Sequence, residues 1–439
     1  MYRLSVSLLG MVSLLSVAVV TKSMNSVTNG KTLMEPAERI VALTSVTLSS
    51  YMFTDEYITK LSSISLPRFV VSPFGIYLAL SLISFGLNGT LKSQMNDALC
   101  YAYTFHSVDE MGYDILMDHL TNESAIRTAN GFFVTPAIKL KPEFVRTIEN
   151  AFHLEVHNTD FVKAYESNRK ISRWCEDHTS CQMTDRLKIA DVDLDKRFSV
   201  MNTVSFTGTW LKKFDIEETR FRPFRFNNGT VKQLPTMRIS GIFRIKNTDS
   251  YSMVELPFKR NVRHSVDISM FIVLPKKTVH FAYFKNIMLD YTFDESAPKE
   301  DIDIQLPRFV IGYEILLKES LKTLNLSSLF DPRTKDFSGG ENYTGEGVIF
   351  SDDMKQTNVL YVNEEGVEVL SAIGCDTVSV REPSQWTARG RRWEPTTGGA
   401  SSFVVDRSFY VMISTLIKKK SDGQTEEYPT NFLSVLFDG

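Results

Sequence analysis

Two cysteines and a histidine, Cys175, His178 and Cys181, lie close together in the sequence and are the first residues whose spacing suggests chemistry. Thiolates and imidazoles are ligands that zinc prefers, but this group offers only three ligands, and no second group of ligands accompanies it in the sequence. The spacing therefore favours either a small loop disulfide between Cys175 and Cys181 or two free thiols, with zinc as the remaining alternative.

The patterns of common enzyme chemistry are absent from the sequence. It contains no Gly-x-Ser-x-Gly turn, no His-Glu-x-x-His pair and no glycine-rich phosphate or dinucleotide loop. Only His153 and His157 have the i,i+4 spacing of a helix face, and their position at the end of an apolar segment favours a structural role. We therefore expect no catalytic group, no metal and no cofactor, and a protein that is not an enzyme.

The charge balance argues against a nucleic-acid partner. The chain has 49 Lys and Arg against 52 Asp and Glu, and its net charge is −3. A nucleic-acid-binding protein normally carries a basic stripe, whereas here one short basic cluster stands out, at Arg389, Arg391 and Arg392. This cluster lies in a polar segment, residues 374–402, that has neither helical nor strand periodicity. Such long loops are usually functional or disordered, and basic residues at their tips invite proteolysis.

The N-terminus has the pattern of a secretory signal peptide, residues 1–22. One arginine precedes an apolar run from Leu4 to about Val20, and small residues lie near its end. Cleavage is the favoured interpretation, and a retained signal anchor is the alternative. No other stretch reaches the roughly 18 apolar residues that a membrane span requires. We therefore expect a secreted, extracellular protein with no membrane partner.

Secretion would make Asn-x-Ser/Thr sequons available for glycosylation. Sequons occur at Asn88, Asn122, Asn228, Asn325 and Asn342. Because a glycan requires a surface loop, we predict attachment at some of these positions, and the candidates are Asn122, Asn228, Asn325 and Asn342.

The order of the elements predicts one α+β domain over residues 35–439. Helix-period segments dominate the first third, at residues 39–63, 73–85, 89–100 and 142–152. Strand-like runs follow from about residue 200, at 199–206, 251–257, 265–274, 303–309, 359–362, 403–417 and 431–437. Apolar strands that follow the helices form large sheets, and the early helices must cover them.

Ordered blocks along this domain resemble the serpin family. The most specific block is Asn-Thr-Val-Ser-Phe-Thr-Gly-Thr-Trp-Leu-Lys-Lys-Phe at residues 202–214. Other blocks, in the family's order, are residues 69–80, 86–90, 129–134, 140–144, 255–258, 274–275, 306–309, 336–339 and 363–368. The resemblance runs from about residue 39 to the C-terminus. It implies helices packed on large, mostly antiparallel sheets, with a long exposed reactive loop at about residues 364–402.

The resemblance also implies a function. In serpins the exposed loop is bait for a serine protease, and after cleavage its N-terminal half inserts as a strand in a central sheet and the protease is trapped covalently. We therefore expect a monomer whose partner is a trypsin-like or elastase-like serine protease. A non-inhibitory serpin that binds, carries or stores another molecule is the alternative.

By resemblance, the hinge of this loop comprises Glu364, Glu365, Gly366, Val367, Glu368 and Val369. Glycine gives the hinge the φ freedom that a reversal requires. Strand alternation predicts that the face beginning with Val367 is buried and that the opposite face, with Glu368, stays solvated. No proline lies between Gly366 and Pro383, so the segment is able to join a sheet. Val369 and Leu370 are bulkier than is usual in inhibitors, which predicts slower insertion.

The cleaved bond falls in one of two places. The family's spacing, about fourteen residues past Gly366, gives Val380–Arg381, and a shift of one residue gives Arg381–Glu382. The first bond suits an elastase-like pocket, and the second suits a trypsin-like pocket that pairs arginine with a carboxylate. We favour Arg381, because a charged side chain suits an exposed tip.

The residues that by resemblance control opening of the central sheet depart from the family pattern. Gly75 stands where a serine is common, Gln356 where a histidine is usual and Arg68 where an asparagine is common, whereas Asn202 is retained. We therefore do not expect the usual buried hydrogen-bond network.

Overall fold

The computed structural model contains two large sheets, with helices packed on and between them. It describes residues 69–99, 126–178, 198–260, 267–277, 297–331, 334, 336–337, 339, 354–373, 401–421 and 424–438. The described helices are α1 Pro73–Phe85, α2 Gly89–Ala98, α3 Pro142–Phe152, α4 Ala164–His178 and α5 Lys318–Thr323, and 3₁₀ turns lie at Ile216–Glu218 and Ser327–Phe330.

The strands are numbered in chain order. They are β1 Phe69–Val71, β2 Ile126–Val134, β3 Leu154–Asn158, β4 Phe198–Thr209, β5 Arg220–Arg225, β6 Val231–Asn247, β7 Tyr251–Pro257, β8 Asp267–Pro275, β9 Lys299–Pro307, β10 Phe309–Leu316, β11 Lys355–Val362, β12 Gly366–Ile373, β13 Ser401–Val404, β14 Phe409–Ser421 and β15 Gln424–Phe437. Strands β7 and β8 end at prolines, where the missing N–H does least harm.

The first sheet has six strands in the order β10-β11-β12-β4-β2-β3. All neighbours are antiparallel except β2 and β3. The second has nine described strands, in the order β1-β15-β14-β8-β7-β6-β9-β13 with β5 paired to β6, and among these β13 and β9 are the pair that runs parallel. The prediction of large, mostly antiparallel sheets is confirmed.

Helix α1 lies between the two sheets, in contact with β15 on one side and with β4 and β12 on the other. Ser72 caps it, and its side-chain oxygen accepts a hydrogen bond from the Gly75 N–H at 3.2 Å. Pro73 takes the first helical position, where its missing N–H costs nothing. All residues from Pro73 to Ser84 are buried, because sheets cover the helix on both sides.

Of two predictions about the early chain, one is not tested and the other needs a correction. The helix expected at residues 39–63 lies outside the described residues. His153 and His157 do not share a helix face, because His153 ends α3 in a left-handed conformation with φ of 46° and His157 lies in β3. The i,i+4 spacing of these two histidines therefore does not reflect a helix face.

Most buried side chains form one core around α1 and the inner faces of the sheets. A second, smaller cluster lies where α4 covers the outer face of the six-stranded sheet, and it consists of Phe133, Phe161, Ile171, Trp174, Cys175, Met201 and Ala372. Among the described residues, no helix is long and apolar enough to cross a membrane.

Candidate functional site

The segment predicted to insert occupies the centre of the six-stranded sheet. Strand β12 pairs antiparallel with β11 on one side, from Ile373 opposite Gln356 to Val367 opposite Val362. On its other side it pairs antiparallel with β4, from Gly366 opposite Thr209 to Ile373 opposite Asn202. The segment is therefore hydrogen-bonded into the sheet along both edges.

Both faces of β12 are buried, which corrects the expectation of one solvated face. Val367, Val369 and Ile373 join the main core, as the alternation predicted. On the opposite face, Leu370 and Ala372 are both 0% exposed, and only Glu368 is partly exposed. Ala372 is buried because α4 packs over it across the outer face of the sheet.

Gly366 is required for space rather than for a left-handed conformation. The glycines with positive φ among the described residues are Gly89 and Gly229. A Cβ atom on Gly366 would lie 1.9 Å from the carbonyl oxygen of Gly208 in β4. The Cβ position is fixed by the backbone of β12, and the carbonyl oxygen belongs to the backbone of β4. The two strands can therefore approach this closely only at a glycine.

The two hinge glutamates have opposite environments. The Glu364 carboxylate is buried and accepts hydrogen bonds from the Thr219 hydroxyl at 2.7 Å and from Arg308 Nη1 at 3.2 Å. Only 7% of the Glu364 side chain and 10% of the Arg308 side chain are exposed. The Glu365 side chain is 71% exposed and forms an ion pair with Lys213. Glu364 is therefore part of the interior, whereas Glu365 is a surface residue.

Asn363 shapes the turn that leads into β12, a role that the sequence did not reveal. Its side-chain oxygen accepts hydrogen bonds from the N–H groups of Glu365 at 2.8 Å and Gly366 at 3.0 Å. Its carbonyl oxygen accepts from Trp210 Nε1 at 2.8 Å. An asparagine three residues before a turn glycine is the signal that predicts such an Asx turn.

A buried network does form at the opening region, built on Gln356. The Gln356 side chain accepts from the Ser72 N–H at 2.9 Å and donates to the Ser72 carbonyl oxygen at 2.9 Å. Asn358 Nδ2 donates to the Val70 carbonyl oxygen at 2.9 Å. The network thus ties β11 to the start of α1. Arg68 lies outside the described residues.

Gly75 leaves room beside this network. A Cβ atom on Gly75 would lie 3.1 Å from Asn202 Oδ1 and 3.3 Å from Gln356 Nε2. Asn202 Nδ2 donates to Asn130 Oδ1 at 2.9 Å, and Asn130 Nδ2 donates to the Phe152 carbonyl oxygen at 2.9 Å. The amide side chains of Asn202 and Gln356 thus both approach Gly75 closely, and the network is different rather than missing.

Replacing Gln356 by leucine should lower the free energy of unfolding by about 2–3 kcal/mol, because it leaves the buried N–H and carbonyl of Ser72 without this partner. Urea unfolding measures the loss. Gln356→His is the matched variant and should lose less, since a neutral imidazole offers one donor and one acceptor. Equal stability of the leucine and histidine variants would contradict this role.

Several predicted sites lie outside the described residues. They are the reactive-bond residues Val380, Arg381 and Glu382, the basic cluster, the sequons at Asn122 and Asn342, and residues 1–22. Asn228 and Asn325 are exposed, Asn228 in the turn between β5 and β6 and Asn325 after α5, and Asn88 is exposed before α2. Glycosylation at these positions stays a prediction.

Cys175 is buried in α4 and is disulfide-bonded. The other three cysteines, Cys100, Cys181 and Cys375, lie outside the described residues, so the pairing with Cys181 stays a prediction. No group of three or more His, Cys, Asp or Glu side chains within the described ranges is arranged to hold a metal ion.

Comparisons with known proteins place this geometry among serpins. The family model for serpin (serine protease inhibitor) matches residues 53–420. An uncharacterized serpin-like protein of Methanosarcina acetivorans is 28% identical over 348 residues, which cover 78% of this chain and 76% of the relative. The leukocyte elastase inhibitor of Bos taurus is 28% identical over 320 residues, 69% of this chain and 81% of the relative.

Solved structures are similar over nearly the whole chain. A cleaved Serpin 42Da matches with a TM-score of 0.69 and 20% identity, over 92% of this chain and 98% of the other. Serpin48 of the insect Tenebrio molitor matches with a TM-score of 0.68 and 21% identity, over 93% of this chain and 100% of the other. At this level of identity the likeness concerns the fold alone.

Proposed function

We propose, from the premise that the chain belongs to the serpin family, that it inhibits a serine protease by covalent trapping after cleavage of its reactive loop. Members of this family are protease inhibitors and generally not enzymes. The observation that carries the proposal is β12, which is paired along both edges between β11 and β4. This is the position that an inserted loop strand must take.

The apolar content of β12 supports a driving force for insertion. Four of its large apolar side chains, Val367, Val369, Leu370 and Ile373, are 4% exposed or less. Burial of one such side chain contributes about 1.5–3 kcal/mol. Leu370 is fully buried in the sheet. The size of this side chain, which predicts slower insertion, is therefore compatible with the inserted form.

The bait bond is proposed to be Arg381–Glu382, with Val380–Arg381 as the alternative, and the target a trypsin-like or elastase-like protease. A monomer suffices for this mechanism. Secretion is part of the proposal. It is supported by the pattern of residues 1–22 and by the disulfide at Cys175, since disulfides persist in oxidising compartments.

Incubation of the full chain with trypsin, and separately with elastase, tests the proposal. We expect an SDS-stable band at the summed mass, and a released C-terminal fragment that begins at Glu382 with trypsin. Arg381→Ala should abolish the trypsin adduct, whereas the matched variant Arg392→Ala should retain it. Cleavage without an adduct for either protease would refute covalent trapping.

A binding, carrier or storage serpin is the second candidate, and one observation favours it. In the continuous chain β12 already lies in the sheet while β13, beyond the loop, is still paired with β9. A chain that holds this arrangement before it meets a protease has no loop strand left to insert. Cleavage without an adduct is the outcome that this candidate predicts.

A further inference from the structure

Helix α4 covers the place that β12 occupies. Ala372 of β12 is 0% exposed and packs in one cluster with Ile171, Trp174 and Cys175 of α4. A strand that moves between β11 and β4 must therefore pass beneath the C-terminal half of this helix. How firmly α4 is held to the sheet then decides how easily the strand passes.

One carboxylate connects this half of α4 to the edge of the sheet. Glu155 lies in β3, and its Oε2 accepts hydrogen bonds from Trp174 Nε1 of α4 at 3.1 Å and from His157 Nε2 of β3 at 3.0 Å. Its Oε1 lies 3.5 Å from His178 Nε2, in the last turn of α4. The polar contacts that Trp174 and His178 make with β3 thus share a single acidic group.

The geometry of His178 makes its contact depend on a proton. His178 Nδ1 lies 2.8 Å from the Trp174 carbonyl oxygen, which only accepts, so Nδ1 carries a hydrogen. The Nε2 of the neutral ring is then a bare acceptor that faces the Glu155 carboxylate. Only the imidazolium donates to Glu155, whereas His157 is able to donate through Nε2 in either form.

In the described part of the chain, the charged groups that act on His157 beside Glu155 are Lys170 and His178. The His157 ring stacks on Phe133 with centroids 4.8 Å apart, and burial, opposed by Glu155 and reinforced by Lys170, lowers the pKa of His157. The Lys170 amine donates to the Asn158 carbonyl oxygen at 2.6 Å. The side chains that β2, β4 and β12 contribute to the cluster beneath α4 are apolar: Phe133, Met201 and Ala372.

We infer that Glu155 is a positioning residue for strand insertion, and that protonation of His178 tightens its hold on α4 and slows passage of β12 beneath the helix. The inference rests on the proposed function, because it concerns the insertion that trapping requires. With the His178 imidazole protonated, Glu155 gains an ion pair with the last turn of α4. With the imidazole neutral, the same contact consists of two facing acceptors, and the helix lifts more readily.

We call the protonation-dependent contact between Glu155 and His178 the latch. Hydrogen exchange of the full chain, measured by mass spectrometry on peptides from α4, tests the latch in the absence of a protease. After correction for the intrinsic pH dependence of exchange, protection of residues 174–178 should be about 2- to 5-fold higher at about pH 5.5 than at about pH 8, the range expected for a partly exposed ion pair. His178→Gln and Glu155→Gln should each remove this pH response.

His153→Asn is the control, because asparagine tolerates the left-handed conformation at that position and His153 has no part in the latch. It should keep the wild-type response.

A second measurement is the time course of the rise in melting temperature after the loop is cut, which should be faster at the higher pH. If His178→Gln responds to pH as the wild type does, the latch is wrong. If α4 responds but cutting the loop never raises the melting temperature, the latch stands and the proposed function fails.

Discussion

Replacing Gly366 by alanine should keep β12 from inserting. The new Cβ would meet the Gly208 carbonyl oxygen at 1.9 Å, and neither backbone group is able to move aside without breaking the ladder between β12 and β4. We expect the inserted form to lose about 3 kcal/mol, the upper end of typical overpacking costs. Melting curves before and after the loop is cut measure this, and the rise expected for the wild type should be absent from the variant.

Gly241→Ala is the matched control for this experiment. Gly241 also lies in a strand, but a Cβ there would meet the end of the Lys212 side chain at 2.7 Å, and a lysine side chain moves easily. This variant should keep the rise in melting temperature. A Gly366→Ala chain that gains as much stability on cleavage as the wild type would show that the close approach to Gly208 does not limit insertion.

Replacing Glu364 by alanine should be the most destabilising change among the hinge carboxylates. It removes the acceptor of the Thr219 hydroxyl and the carboxylate partner of Arg308, and both side chains are buried. Removal of one member of a buried ion pair costs about 3–5 kcal/mol, because the other charge stays in the interior. We expect a loss of about 3 kcal/mol in the free energy of unfolding, measured with urea.

Glu365→Ala provides the comparison, since the two residues are adjacent and chemically identical. The Glu365 side chain is 71% exposed, and exposed ion pairs contribute about 0–1 kcal/mol. The decrease in the free energy of unfolding should therefore be several times smaller for Glu365→Ala than for Glu364→Ala. Equal losses for the two variants would mean that burial of Glu364 has no energetic consequence, and our description of the hinge would be wrong.

The sequence predicts the fold well where local signals agree with the tertiary structure. The helices at residues 73–85 and 142–152 are found at the predicted bounds, because each has a proline at its first position. The run at 303–309 is less well predicted. It is the end of β9 and the start of β10, separated at Arg308, and Pro307 is the residue that marks this change of sheet.

The candidate site is only partly predictable, because much of it depends on contacts between distant segments. Strand alternation identifies the core-facing side of β12, but burial of Ala372 depends on α4, a helix that the periodicity did not indicate. The space requirement at Gly366 exists only because Gly208 lies opposite in β4. Gln356 looks like a loss of the usual histidine, yet its longer amide reaches the backbone of Ser72.

The pairing of β1 with β15 joins Phe69 to Leu436, nearly the two ends of the described chain. During synthesis, the first of these segments leaves the ribosome long before its partner exists. The nine-stranded sheet therefore cannot close its β1 edge until β15 has been synthesised, and the apolar α1 that follows β1 remains uncovered on that side until then. Chaperones that bind exposed apolar segments should accordingly associate with the nascent chain until β15 has emerged, and deletion of β15 should leave a product that aggregates.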